Sequence, residues 1–130
     1  MRQLVEVKEG IITDDSISFI IEAAEPLIPA QAAGRMIADS DNRAFVYLMD
    51  AGSDYLYVQF SEHTWPVLTQ AIHRREVPLL KWGKQEVPLQ NFREELWMLV
   101  ENIEGNDNYG EAFRTAVEKS FYEALASRAQ

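Results

Sequence analysis

Cysteine is absent from this 130-residue chain, and its absence limits the chemistry that the protein can perform. Without thiols the chain cannot form disulfides or use a thiolate nucleophile, and it lacks the usual ligands of structural zinc. Histidine is scarce too, since His63 and His73 are its two examples. They are ten residues apart and belong to no H-x-x-H motif, so we interpret them as ordinary surface or helix-end residues and predict no metal site.

Long hydrophobic runs are also lacking. Charged residues interrupt the N-terminal nine residues at every second or third position, unlike the unbroken apolar segment of a signal peptide. The longest strongly apolar run, residues 44–49, is far shorter than the ~20 residues needed to cross a bilayer. We therefore expect a cytoplasmic protein that does not enter a membrane.

Positively charged residues are fewer than negatively charged ones. The chain has 12 Lys and Arg against 21 Asp and Glu, which gives a formal net charge of −9. Nucleic-acid affinity depends on neutralising phosphates with cations, so this balance argues against nucleic acid as a partner. The same argument disfavours anionic membrane surfaces.

Recognisable catalytic motifs are missing as well. The six glycines are scattered singly, so there is no phosphate-binding or dinucleotide-binding loop, and no G-x-S-x-G sequence occurs. The acidic turns that begin at Asp39 and Asn106 lack the glycine and glutamate of a calcium loop. Paired acids such as Asp14-Asp15 and Glu94-Glu95 are expected in so acidic a chain. We predict no catalytic residue and no cofactor, and we favour a protein that is not an enzyme.

What the chain does have is enough apolar residues, 47% of the total, to bury a core within a single domain spanning residues 1–130. The first half shows the alternation typical of strands, around residues 5–7, 17–21, 35–38, 44–49 and 55–60. Residues 44–49 are apolar throughout, which predicts a central strand covered on both faces. Glu9-Gly10 is interpreted as a turn, and Pro26 and Pro29 as part of a loop.

Helical spacing dominates the second half. Ser61 is expected to cap a helix that has Pro66 early in it, and Asn91 and Asn108 are expected to cap two more. Gly105 is placed where a helix end needs a left-handed residue. Two apolar stripes mark the buried helix faces: Phe92, Leu96, Leu99 and Ile103 form the first, and Phe113, Val117, Phe121 and Ala124 form the second.

These patterns predict an α+β fold, in which an antiparallel sheet of five or six strands in the N-terminal half packs against about three C-terminal helices. Residues 78–88 read as a short hairpin that turns at Gly83. Whether this hairpin joins the main sheet is left open by the pattern.

The most uneven feature of the chain is a cationic, tryptophan-bearing island within residues 73–84. Tryptophan and arginine are over-represented at binding hot spots, so the island is a candidate binding surface. Its residues are Arg74, Arg75, Lys81, Trp82 and Lys84. The alternative is that Trp82 folds back onto the sheet and the cations only protect an edge strand.

A second candidate is a pocket between the sheet and the last two helices. Polar groups for such a pocket could come from Tyr47, Tyr55, Tyr57, Asn106, Asp107 and Tyr109. Equally, the loop at residues 104–111 is explained by helix capping, which leaves only Asp107 and Tyr109 without a structural role.

Several short blocks resemble a family of small uncharacterised proteins from Bacillus and its relatives. The blocks are Asp39-Ser40-Asp41, Phe45-Val46-Tyr47-Leu48, Trp65-Pro66, Glu94-Glu95-Leu96, Glu101-Asn102-Ile103, Gly105-Asn106 and Asn108-Tyr109-Gly110-Glu111. The resemblance spans roughly residues 35–121. It implies a bacterial cytoplasmic protein and carries no activity, cofactor or catalytic residue with it.

The leading hypothesis is a non-enzymatic protein-interaction or regulatory module that binds an unidentified protein partner, with self-association into a homo-oligomer as a further expectation. A small-molecule-binding protein or small enzyme, using the pocket above, is the alternative.

Overall fold

Residues 3–22, 30–52 and 54–128 are described by the computed structural model, and they form an α+β structure. The expected loop at Pro26 and Pro29 lies outside the described residues. Alternating apolar residues produce strands because side chains of a strand point to opposite faces in turn. The strands are β1 (Gln3–Ile12), β2 (Ile17–Ile21), β3 (Gln31–Asp39), β4 (Ala44–Ala51), β5 (Asp54–Ser61), β6 (Leu79–Trp82) and β7 (Gln85–Pro88).

The seven strands form one sheet in the order β3-β4-β5-β1-β2-β6-β7. The prediction of five or six antiparallel strands was therefore only partly right. The β1–β5 and β2–β6 pairs are parallel, and the remaining pairs are antiparallel. Local alternation identifies strands but not their neighbours, so these two crossover pairings could not be read from the sequence. The parallel β2–β6 pair also joins the 78–88 hairpin to the sheet.

One predicted turn is wrong. Glu9 and Gly10 lie within β1, where the register shifts between Val7 and Glu9 and the strand continues to Ile12. A β-bulge accommodates the extra residue without ending the strand. Gly10 is needed there for space, because an added Cβ would lie 2.8 Å from Cγ1 of Val67 and 3.0 Å from the Phe19 ring.

The helices follow the predicted positions but begin differently. They are α1 (Trp65–Ala71), α2 (Phe92–Ile103), α3 (Glu111–Ser120) and α4 (Tyr122–Ser127). Pro66 lies in the first turn of α1, as predicted, because its missing N–H is not needed there. Gly105, with φ of 67°, follows the end of α2 as expected. The last predicted helix is divided at Phe121 into α3 and α4.

The three predicted capping residues do not cap these helices. Ser61 precedes a 3₁₀ turn, Glu62–Thr64, and its hydroxyl instead donates to the Glu6 carboxylate at 2.7 Å. Asn91 precedes α2 in a left-handed conformation, φ 60°, without a side-chain cap. Asn108 lies inside a 3₁₀ turn, Asp107–Tyr109, and Gly110 precedes α3. Residue type signals a helix start, but the local backbone decides whether the side chain can accept the capping hydrogen bond.

The core lies between the sheet and the helices, and both predicted apolar stripes are buried in it. Aromatic rings dominate its centre. Phe45 contacts Trp65, Phe113 and Phe121 at centroid distances of 5.3, 6.2 and 5.8 Å. Phe19 contacts Phe60 edge to face at 4.9 Å. The Phe45 contacts join the sheet to α1, to α3 and to Phe121 between α3 and α4, so helices cover one side of the sheet. No helix in the described part of the chain is long and apolar enough to span a membrane.

Candidate functional site

The predicted cationic island lies on β6, on the β6–β7 turn and on the segment that precedes β6. Trp82 is half-buried and packs against the core, so its indole is partly used by the fold. Lys81 pairs with Glu86 of the neighbouring strand at 3.3 Å. Lys84 is exposed in the turn beside Gly83, which has φ of 55°.

Arg74 is committed to the fold. Its Nε donates to the Glu76 carboxylate at 2.7 Å, and the hydrogen bond holds the pKa of Glu76 below its usual value. Its NH2 group donates to the carbonyls of Thr13 and Asp14 at 2.9 and 3.1 Å, which ties the β1–β2 turn to the end of α1. Arg75 is exposed. Arg75 and Lys84 make no ion pair with any residue that the structure describes.

The six residues predicted to line a pocket are distributed over three places. Tyr47 is buried on the helix-covered side of the sheet. Tyr55 and Tyr57 lie on the opposite side, since their β5 neighbours Leu56 and Val58 face the core. Asn106, Asp107 and Tyr109 lie in the connection between α2 and α3. The six side chains therefore do not line one pocket.

The α2–α3 connection is held by its own polar contacts. The Asn106 side chain accepts a hydrogen bond from the Asn108 backbone N–H at 3.0 Å. Asp107 accepts from Arg114 at 2.8 Å, and the Tyr109 hydroxyl accepts from Asn102 at 3.0 Å. Asp107 and Tyr109, which capping had left unexplained, thus have structural roles.

Tyr47 closes one edge of the sheet. Its hydroxyl donates to the Gln90 carbonyl at 2.6 Å and accepts from the Gly34 backbone N–H at 3.3 Å. Burial raises the pKa of Tyr47 to about 12. Next to it, the Glu95 carboxylate accepts the backbone N–H of Met36 at 2.9 Å. Together these bonds satisfy donors of the edge strand β3 and attach it to the start of α2, which protects the edge from pairing with another chain.

The other side of the sheet carries a feature that the sequence reasoning did not identify. We call it the open face: the outward side chains of β3, β4, β5 and the first half of β1. The strand register arranges them in four rows across the sheet. The rows are Gln31-Asp50-Tyr55, Arg35-Leu48-Tyr57-Leu4, Ile37-Val46-Gln59-Glu6 and Asp39-Ala44-Ser61.

The centre of the open face is apolar. Leu4, Ile37 and Tyr55 are 60%, 40% and 39% exposed, and Val46 and Leu48 between them are buried, at 4% and 5% exposure. No described helix packs on this side, because all four helices contribute to the core on the opposite side. Several exposed apolar residues on one face of a sheet favour an interaction site.

The rim of the open face is predominantly acidic. Among the described residues that form the rows, Glu6, Asp39 and Asp50 contribute three carboxylates and Arg35 contributes one guanidinium. The formal surplus of two negative charges continues the acidic character of the whole chain. A shallow cavity of about 550 Å³ lies at one corner of this face, between Leu4, Ile37, Val46 and the β3–β4 turn.

A second concave region lies on the helix side, where α1 ends against α2 and α4. This cleft of about 490 Å³ contains Trp97 between Arg93 and Arg128. Both arginines are already engaged: Arg93 donates to the Arg74 carbonyl at 2.9 Å, and Arg128 pairs with Glu104 at 2.5 Å. The cleft therefore offers little unpaired charge to a ligand.

Metal ligation has no support among the described residues, where no group of three or more His, Asp or Glu side chains converges. His63 Nε2 lies 3.0 Å from the Lys8 carbonyl, a contact that ties the 3₁₀ turn to β1.

Comparison with known proteins places the chain in a family. The model of UPF0738, a family of unknown function, matches residues 5–121. The chain belongs to this family. The resemblance found in the sequence is confirmed and reaches further toward the N-terminus than residues 35–121. No solved structure matches the chain.

Curated relatives in the family cover almost the whole chain. A UPF0738 protein from Lysinibacillus sphaericus is 39% identical over 97% of this chain and 99% of its own length. UPF0738 protein YjbL from Bacillus subtilis is 34% identical over 93% and 99%. A UPF0738 protein from Staphylococcus epidermidis is 37% identical over 90% and 96%. None of these names assigns an activity.

Sequence reasoning missed the open face because alternation marks which residues share a face but not which face is covered. The available signal was Leu4, Tyr55 and Tyr57, which are large apolar or aromatic residues on strand positions opposite the predicted core positions. Residues 44–49 were predicted to form a central strand covered on both faces, and all six of these residues are buried in the structure.

Proposed function

We propose that the protein is a non-enzymatic interaction module of the bacterial cytoplasm and that it binds a protein partner through the open face. The observation that carries this proposal is the concentration of exposed apolar side chains there. Leu4, Ile37 and Tyr55 share this face, whereas Ile11, Val77, Met98 and Tyr122, which are comparably exposed, lie outside it. Single exposed apolar residues are normal on protein surfaces, whereas several on one face of a sheet favour an interaction site.

The chemistry of the sites supports a binding role over a catalytic one. The residues that resemble an active-site cluster most closely, Tyr47 with Glu95 and Gln90, are occupied in holding the sheet edge to α2. The open face itself offers apolar and aromatic side chains surrounded by carboxylates. Such a surface provides contact area, which is what association with another protein requires.

The cationic island is a second surface that we propose for the same function. Arg75, Lys84 and the exposed part of Trp82 lie at one edge of the sheet, far in strand order from β3 and β4. Arg74 and Lys81 would contribute less, because each already has a carboxylate partner. The two surfaces are separable by mutation.

The test is affinity capture with four tagged proteins from extract of a bacterium that carries a family member, such as Bacillus subtilis. They are the unchanged chain, Ile37→Asp on the open face, Lys81→Glu with Trp82→Ala on the island, and Met98→Asp as a control. Met98 is 52% exposed on α2, so its substitution adds the same charge on the helix side. Mass spectrometry identifies what each protein retains.

We expect a partner that is retained by the unchanged chain and by Met98→Asp but lost from Ile37→Asp. Loss from the island variant alone would move the binding surface to β6 and β7. If all four proteins retain the same set, neither surface binds a partner and the proposal fails. Circular dichroism of each variant checks that it is folded.

A further inference from the structure

We infer that the cleft on the helix side of the molecule binds an uncharged, planar aromatic molecule that carries a carbonyl group. The cleft lies where the end of α1 meets α2 and α4, and its volume is about 490 Å³. This volume falls within the range of about 300–1,000 Å³ that small-molecule sites usually have. The site lies on the other side of the sheet from the open face, and the inference does not depend on the proposed function.

The lining of the cleft distinguishes it from a larger cavity, of about 920 Å³, between Arg43 and α3. Among the described residues, that larger cavity is lined by no aromatic or large aliphatic side chain. The cleft contains Trp97, which is half-buried and packs against the core. Ile72 and Ala124 also line it but are only 8% and 3% exposed, so Trp97 is the apolar side chain that a ligand can reach. A fixed indole favours a flat ligand, because aromatic rings stack or meet edge to face.

The arginines of the cleft already have partners, which argues against a charged ligand. Arg93 donates to the Arg74 carbonyl at 2.9 Å and lies 3.5 Å from the Glu94 carboxylate. Arg128 pairs with Glu104 at 2.5 Å. A charged ligand would have to replace one of these partners and lose its own hydration. An uncharged ligand can bind beside the ion pairs and leave them intact.

The indole N–H of Trp97 determines the polar group that the ligand needs. No residue that the structure describes accepts a hydrogen bond from this N–H, and it is open to solvent, since no buried polar side-chain atom of the described residues lacks a partner. The buried Trp65 N–H, in contrast, donates to the Phe60 carbonyl at 3.1 Å. A ligand that covers Trp97 must accept a hydrogen bond from its N–H, because a donor buried without a partner is costly. A carbonyl group on the ligand meets this requirement.

The two guanidinium groups also favour a planar ligand. Arg93 precedes Trp97 by four residues on α2, so the two side chains are neighbours on one helix face. Arg128 follows the end of α4 and lines the cleft as well. Guanidinium groups are planar and stack on aromatic rings without giving up their in-plane hydrogen bonds. An aromatic ring in the cleft can therefore stack on a guanidinium while its carbonyl faces the indole N–H.

A matched series of small probes provides the test. Nicotinamide is uncharged, nicotinate is an anion and 1-methylnicotinamide is a cation, and all three share one planar ring with a carbonyl or carboxylate. Uracil is a second uncharged probe. Each is titrated at neutral pH into the full ¹⁵N-labelled chain, and NMR follows the indole N–H signals of the three tryptophans. Single Trp→Phe substitutions assign these signals.

We expect nicotinamide and uracil to shift the Trp97 indole signal saturably. Their dissociation constants should be on the order of 1 mM, as is usual for such small molecules. Nicotinate and 1-methylnicotinamide should bind at least about fivefold more weakly, because the cleft has no unpaired arginine or carboxylate to compensate for their lost hydration. The signal of Trp82, which is also half-buried, should not move.

Two variants with controls locate the site. Trp97→Phe keeps an aromatic ring but removes the N–H, so the nicotinamide affinity, followed on backbone amides of the cleft, should fall roughly 3- to 10-fold. Trp82→Phe is its control and should leave the affinity unchanged. Ser127→Tyr fills the cleft from an exposed position and should abolish binding, whereas Ala126→Tyr adds the same ring at an exposed position that does not line the cleft. Thermal unfolding checks that each variant is folded.

Three results would overturn the inference. The first is no saturable shift of the Trp97 signal with either uncharged probe, up to about ten times the expected dissociation constant. The second is equal or tighter binding of the charged probes, which would contradict the argument from the paired arginines. The third is an equal loss of affinity in Ser127→Tyr and Ala126→Tyr, which would place the binding elsewhere on the chain.

Discussion

The two faces of the sheet differ in what covers them, although both are apolar at the centre. On the core side, Phe45, Tyr47 and Phe60 are fully buried under the helices. On the open face, Leu4, Ile37 and Tyr55 remain 39–60% exposed around Val46 and Leu48. The core side stabilises the fold, because burial of apolar area is the main favourable contribution to folding. An apolar surface that stays exposed contributes little to stability.

The largest expected effect is on the core side. Phe45→Ala removes a ring that contacts Trp65, Phe113 and Phe121, and it should lower the free energy of unfolding by about 3–5 kcal/mol. Ile37→Ala on the open face should change it by less than about 1 kcal/mol, since the side chain is already 40% exposed. Urea unfolding of both variants measures the contrast. Similar losses in the two would mean that the open face is buried in solution.

Gly10 tests how tightly the core side is packed between β1 and the start of α1. Gly10→Ala would place a Cβ 2.8 Å from Val67 and should destabilise the protein by about 1–3 kcal/mol. Adding Val67→Ala removes the contacting methyl group, so the double variant should lose less than the two single losses combined. Thermal unfolding of the four proteins completes the cycle. If the stability losses of Gly10→Ala and Val67→Ala were additive, contact with Val67 would not be the cause of the Gly10→Ala loss.

Tyr47→Phe tests the hydrogen bonds that attach β3 and β4 to the start of α2. Loss of the hydroxyl leaves the Gln90 carbonyl without its 2.6 Å donor, which should cost about 1–3 kcal/mol. Tyr55→Phe on the open face serves as the control and should change stability by less than about 0.5 kcal/mol. If the two substitutions lowered the free energy of unfolding equally, the Tyr47 hydroxyl would not stabilise the sheet edge.

The same tyrosine predicts a pH dependence. Because burial raises the Tyr47 pKa to about 12 in the folded state, the unfolded chain loses this proton first, near pH 10. The stability contributed by the neutral hydroxyl is present below pH 10 and is lost as the pH rises toward 12. Tyr47→Phe should therefore lose less stability than the unchanged chain between pH 10 and 12. If the unchanged chain and Tyr47→Phe lost equal amounts of unfolding free energy between pH 10 and 12, this assignment would be wrong.

The smallest expected effect on stability accompanies loss of binding. Leu4→Ser with Ile37→Ser should leave the unfolding free energy within about 1 kcal/mol while abolishing retention of a partner. Val77→Ser with Met98→Ser is the control, since these residues are similarly exposed but lie apart from the open face. A partner lost equally from both pairs would argue against the open face. Affinity capture and thermal unfolding are measured on the same preparations of the unchanged chain and the two double variants.

Most helices and strands were predictable because their signals are local. The β4–β5 pair, the hairpin at Gly83 and the two helix stripes all appear where alternation and helical spacing placed them. The failures involve contacts between distant segments. Gly10 lies within β1 rather than in a turn because β2 pairs through that position, and no nearby residue reveals this pairing.

The site predictions show the same division. The sequence singled out Trp82 and the cations around it, but the use of Arg74 depends on the carbonyls of Thr13 and Asp14, about sixty residues away. The hydroxyl of Tyr47 likewise depends on Gln90, forty-three residues away. Hydrogen-bond partners that are distant in the sequence decide which polar side chains stabilise the fold, and sequence spacing does not show these partners.

Composition and local periodicity by themselves determined that this chain is acidic, free of cysteine chemistry and built of strands followed by helices, while short sequence blocks gave the resemblance to its family. Only the tertiary structure decided that β1 pairs with β5, that the helices of the described residues lie on one side, and that Val46 and Leu48 face the other side. The physical reason is that alternation has a period of two residues in any strand, so it separates two faces without saying which one the rest of the chain will cover.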